Sequence, residues 1–64
     1  MKDFYIKLET GDVYMLRAEN LAGVFSQIGT ANLVNNGWLT ALRVDTLDTI
    51  TVNSNKIVSI SEDY

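Results

Sequence analysis

One stretch of nine residues, Asn20–Ile28, interrupts a chain whose other segments alternate apolar and polar side chains at the period of a strand. Within it Leu21, Val24, Phe25 and Ile28 recur at i, i+3, i+4 and i+7, which gathers apolar side chains on one helix face, and Asn20 stands before them as an N-cap. The stretch therefore predicts a single helix, with Phe25 in the core, ending near Gly29 where a residue free to adopt positive φ suits the position after a helix. Gly23 inside it costs about 1 kcal/mol relative to Ala, which points to a close approach to the sheet. In Thr30 to Gly37, Leu33 and Val34 could continue a helix after a break or form a short strand leading into a turn at Asn36-Gly37, and the favoured reading is an irregular connection.

Phe4–Glu9 and Val13–Ala18 each alternate. A two-residue turn at Thr10-Gly11 or Gly11-Asp12 would put Phe4, Ile6, Leu8, Val13 and Met15 on one face and Tyr5, Lys7, Tyr14 and Leu16 on the other. After the helix come Trp38–Val44, Thr49–Asn53 and Ile57–Ser61, which predict a three-stranded meander. A three-residue loop at Ser54-Asn55-Lys56 pairs Val52 with Val58 and Ile50 with Ile60. The same parity across Thr46-Leu47-Asp48 sets Leu42 and Val44 opposite Val52 and Ile50, turns Trp38 toward the core and leaves Leu47 exposed at a loop tip. The expected fold is one α+β domain over residues 1–64, β-β-α-β-β-β, an antiparallel sheet or small open barrel with one helix packed on a face.

The strand, Thr-Gly turn, strand and capped helix of Phe4 to Phe25, with the closing Thr51-Val52-Asn53 and Ile57-Val58-Ser59-Ile60, resemble small uncharacterised proteins of bacteriophages and prophages. The resemblance implies a virus-encoded accessory protein acting on host machinery or host defence, in the host cytoplasm. It implies no particular activity.

Sixty-four residues bury little surface, and such domains usually lean on a disulfide, a metal or self-association. With no Cys and no His the first is impossible and a structural zinc site is not expected, so the expected partner is a second copy of the chain. A net charge of −3 lacks the positive surplus that nucleic-acid binding requires, and no apolar run approaches the roughly 20 residues of a membrane span. The cytoplasm is the default expectation.

Catalytic groups are scarce. Without Cys or His, a nucleophile would have to rely on Lys56 beside Ser54 and Ser59, and a solvated Lys keeps its proton. Asp45/Asp48 flank a turn and Glu62/Asp63 lie near the end of the sequence, so neither pair reads as acid/base machinery. The four Gly are isolated, no phosphate loop forms, and no cofactor is expected.

Two groups of residues stand out instead. The face turned from the helix is expected to carry Tyr5, Tyr14, Leu16, Leu39, Ala41 and Ile57, too apolar for a solvated surface, and reads as an interface unless the sheet curls to bury it. Asn32, Asn35, Asn36 and Trp38, with Arg43 on the same strand, offer amides, an indole and a cation to a nucleotide-like ligand, although loop Asn and a core Trp would look the same. The function these features predict is a small non-enzymatic, homo-oligomeric binding protein that occupies a host protein or sequesters a small ligand. The alternative is a structural subunit of a phage-like particle.

Overall fold

In a computed structural model that describes residues 1–62, the chain runs β1 (Lys2–Leu8), β2 (Val13–Ala18), α1 (Leu21–Val34), β3 (Trp38–Arg43), β4 (Thr49–Asn53), a 3-10 turn (Ser54–Lys56) and β5 (Ile57–Ser61). The strands form one antiparallel sheet ordered β4-β3-β2-β1-β5, and α1 packs across it against β2 and β3. This is the expected α+β architecture, as an open sheet and not a closed barrel. Asp63, part of the Glu62/Asp63 pair, lies outside the described residues.

The expected meander is not formed. β5 pairs with β1, with Ile6 opposite Ile60, so β4 and β5 lie at opposite edges of the sheet and are joined by only Ser54–Lys56. Four strand spacings would separate the edges of a flat sheet by about 19 Å. Four Cα steps from Asn53 to Ile57 reach at most about 14 Å, and a 3-10 turn shortens that further. The sheet must therefore curl, bringing side chains from its strands together on its helix side.

That helix-side core holds Phe4, Ile6, Leu16, Ala18, Val24, Ala41 and Val52, with Leu8, Tyr14, Ile28, Leu39, Ile50, Ile57 and Ile60 packed against it. The short connection is pinned at both ends. Ser54 N–H donates to the Gly37 carbonyl at 2.7 Å, and Glu9 N–H to the Lys56 carbonyl at 2.8 Å.

Both hairpins carry one residue more in their loops than expected, and each extra residue inverts a face. In the first, Gly11 at φ +94° donates to the Leu8 carbonyl while Leu8 N–H donates to Asp12, leaving Glu9-Thr10-Gly11 as a three-residue loop. Phe4 then pairs with Leu16 and Ile6 with Tyr14, so Tyr14 and Leu16 face the core, and Val13 and Met15 face away. Met15 is buried even so, with Tyr5 opposite it on one side and Leu42 on the other.

In the second hairpin, Arg43 pairs with Asp48 around Val44–Leu47, with Leu47 at φ +61°. Leu39 and Ala41, not Leu42 and Val44, therefore oppose Val52 and Ile50, and Trp38 is carried to the outer face. Leu47 is exposed at the loop tip, as expected.

The helix start follows the sequence. Asn20 Oδ1 accepts from Gly23 N–H at 2.9 Å, and a Cβ on Gly23 would lie 3.1 Å from that of Ala18, the close approach its presence implied. Its end and its buried stripe do not. Gly29 lies inside the helix, which runs through the stretch expected to be irregular and stops at Asn35, because Ala31 extends the stripe begun by Val24 and Ile28. Phe25, expected in the core, is 55% exposed on a flank of that stripe, and Leu21 is also exposed.

Candidate functional site

The end of α1 and the start of β3 form the most distinctive corner of the surface. Asn36 at φ +55° and Gly37 at φ +89° reverse the chain within two residues, so β3 begins beside the last helical turn. Asn35 clamps that reversal: its N–H donates to the Ala31 carbonyl at 2.9 Å, its carbonyl accepts from Trp38 N–H at 3.0 Å, and its Nδ2 donates to the Trp38 carbonyl at 3.2 Å. Trp38 alternates with the core-facing Leu39, which places it on the outer side, 48% exposed. Together with Ser26, Gln27, Thr30, Ala31, Val34 and Asn35 it lines an open trough of about 360 Å³. Gln27 steadies the wall by donating from Nε2 to the Arg17 carbonyl at 2.9 Å.

Beside the trough, the asparagines are occupied with structure. Ser54 Oγ donates to Asn32 Oδ1 at 2.6 Å, and Asn55 N–H donates to Asn53 Oδ1 at 2.9 Å. A Cβ on Gly37 would meet Asn53 Oδ1, Asn55 Nδ2 and Asn32 Oδ1 at 3.0–3.2 Å. These amides tie the helix end to the crossover turn.

The residues expected to form a ligand site are thus only partly assembled. Asn35 and Trp38 share the trough, and Asn36 is exposed at the turn next to it. Arg43 is at the other end of β3, about 17 Å along the strand, where it borders a separate hollow with Asp12, Tyr14 and Asp45. Of the residues expected on the face away from the helix, only Tyr5 is there. Tyr14, Leu16, Leu39 and Ala41 face the core because of the loop lengths described above, and Ile57 does so because it pairs with Leu8 of β1 and not with β4; Leu16 and Ala41 are buried in the core.

Thr30, Ala31 and Val34 were not singled out from the sequence. The signal for them was the continuation of the stripe from Val24 and Ile28 to Ala31, masked by Gly29.

The electrostatics of the corner are simple. The trough lies at the carbonyl end of α1, whose last turn carries no basic residue, so the helix dipole contributes negative potential there. Among the described residues, no group of three or more acidic, Cys or His side chains is placed to hold a metal ion, and no helix is long and apolar enough to cross a membrane. Comparisons with protein-family models, curated proteins and solved structures find no match to this chain.

Proposed function

We infer that the chain is a small, non-enzymatic binding protein that works as a homo-oligomer and engages a protein partner at the Trp38 trough. The half-exposed indole carries this reading. A tryptophan exposed beside Val34 and Ala31, with its backbone held on both sides by Asn35, is a rigid apolar anchor of the kind that dominates protein interfaces. The partner it suits presents an apolar side chain next to a Lys or Arg, because a cation is attracted both to the indole face and to the carbonyl end of α1.

A nucleotide-like ligand is served less well. Its phosphates would meet negative potential, and Arg43 is out of reach. Occupying a host protein in the cytoplasm is the role that the phage resemblance implies, and it needs nothing beyond such an anchor.

Selection of linear peptides from a random displayed library tests the reading. Peptides with an apolar residue beside Lys or Arg should be enriched and should shift the emission of Trp38, the sole tryptophan. They should lose at least about tenfold in affinity for Trp38→Ala and nothing for Phe25→Ala. Enrichment that is indifferent to Trp38→Ala would place the binding surface elsewhere.

A further inference from the structure

The two edges of the sheet differ in how they meet solvent. On β5 the register slips between Lys7 and Leu8, so Val58 bulges out of the ladder, and ion pairs Lys2–Glu62 and Glu9–Lys56 (3.3 and 3.2 Å) lie at its two ends. Bulges and charges are the usual means by which proteins keep an edge from pairing. β4, Thr-Ile-Thr-Val-Asn, has neither charge nor proline, and its ladder with β3 runs from Asn53 to Thr49 without a slip.

The phase of that ladder decides which groups remain free. Arg43 N–H donates to Asp48 and Ser54 N–H to Gly37, so the hydrogen-bonded pairs fall at Asp48, Ile50, Val52 and Ser54. The N–H and C=O of Thr49 and Thr51 and the N–H of Asn53 therefore point away from β3, out of the sheet, while the Asn53 carbonyl caps the 3-10 turn that follows.

We propose that a second copy of the chain pairs there, β4 against β4, antiparallel about a twofold axis through Thr51. That axis puts Thr51 opposite Thr51 and Thr49 opposite Asn53, so the two copies exchange four main-chain hydrogen bonds, two between the Thr51 pair and one from each Asn53 N–H to the facing Thr49 carbonyl. Ile50 then lies opposite Val52 on the core side, which extends the apolar face from one sheet into the next. The Thr and Asn side chains meet on the outer side, and no like charges are opposed. An uncharged edge strand whose two faces match when it pairs with itself points to a second copy as its occupant. The inference rests on the self-association proposed above and adds the surface responsible.

Thr51→Pro is the decisive variant. An edge proline is compatible with the monomer because the lost N–H points to solvent, but it removes the hydrogen bonds at the axis and obstructs the approach. Sedimentation equilibrium from about 10 μM to about 500 μM should show wild type passing from one-chain to two-chain mass, and Thr51→Pro remaining at one with an unchanged circular dichroism spectrum. Wild type at one-chain mass throughout would overturn self-association as a whole. A dimer that survives Thr51→Pro, or open assembly beyond a dimer, would overturn this edge alone.

Should Thr51→Pro unfold, Thr51→Cys decides, since the chain has no other thiol. Mild oxidation should link it rapidly into covalent dimers and leave Ser59→Cys on β5 unlinked. Equal linking of the two, or none, would overturn the proposal.

Discussion

Strand β1 and helix α1 both carry apolar stripes, yet they invest them differently. Seven residues of β1 place Phe4 and Ile6 at or near complete burial, whereas fourteen residues of α1 bury only Val24 and Ala31. Leu21, Phe25, Leu33 and Val34 remain exposed on the helix. The difference follows from the curl of the sheet: side chains on its concave side meet one another and need little from the helix, which closes the β2–β3 side as a lid. The core belongs to the sheet, and the helix has apolar surface left over for contacts outside the fold.

The two phenylalanines give the sharpest test of that contrast. Phe4→Ala should cost about 3–5 kcal/mol, comparable to the whole stability of so small a domain, and leave the chain largely unfolded at room temperature. Phe25→Ala should change stability by no more than about 0.5 kcal/mol. Urea melts of the two variants beside wild type measure both. Equal losses would mean that the helix is a full partner in the core and that the contrast is false.

A smaller effect is expected where lid and sheet are tied together. Gly37→Ala forces a side chain into a left-handed conformation against three amide groups, and should cost about 1–3 kcal/mol. Loss of helical circular dichroism before the sheet signal during such a melt would show the lid detaching first; a single unchanged transition at wild-type stability would show that the knot around Gly37 contributes nothing.

The smallest effect should be a gain. Gly29 lies in mid-helix, and a Cβ there would have no neighbour within 4 Å. Gly29→Ala should stabilise by about 0.5–1 kcal/mol through helix propensity and reduced freedom of the unfolded chain. The melting temperature should rise by several degrees, and a fall would place Gly29 in a strained site.

Strand positions and the helix cap were legible because alternation and an Asn before an apolar period are local signals. Faces were not. They depend on the parity of loop lengths, and parity turned on Gly11 and on Leu47, a left-handed branched residue that local preference disfavours. The crossover was invisible for a related reason: two strands separated by three residues read as a hairpin, and only the curl of the whole sheet makes the alternative reachable. At the candidate site, Trp38 and Asn35 were found as residue types suited to recognition. Their wall of Thr30, Ala31 and Val34 was lost with the helix end, and Arg43 was added on sequence proximity that an extended strand turns into distance.

The pairing of β5 with β1 also sets an order of events. β2 follows β1 closely along the chain, but the other side of β1 waits for β5, some fifty residues later, so the β1–β5 pairing is one of the longest-range closures the sheet makes as it folds. Until then the Phe4–Ile6 stripe lacks Ile57 and Ile60 from its surroundings. A chain in which β5 has not yet docked exposes the edge of β1 as a template for other strands, and that stage of folding is the one most open to aggregation.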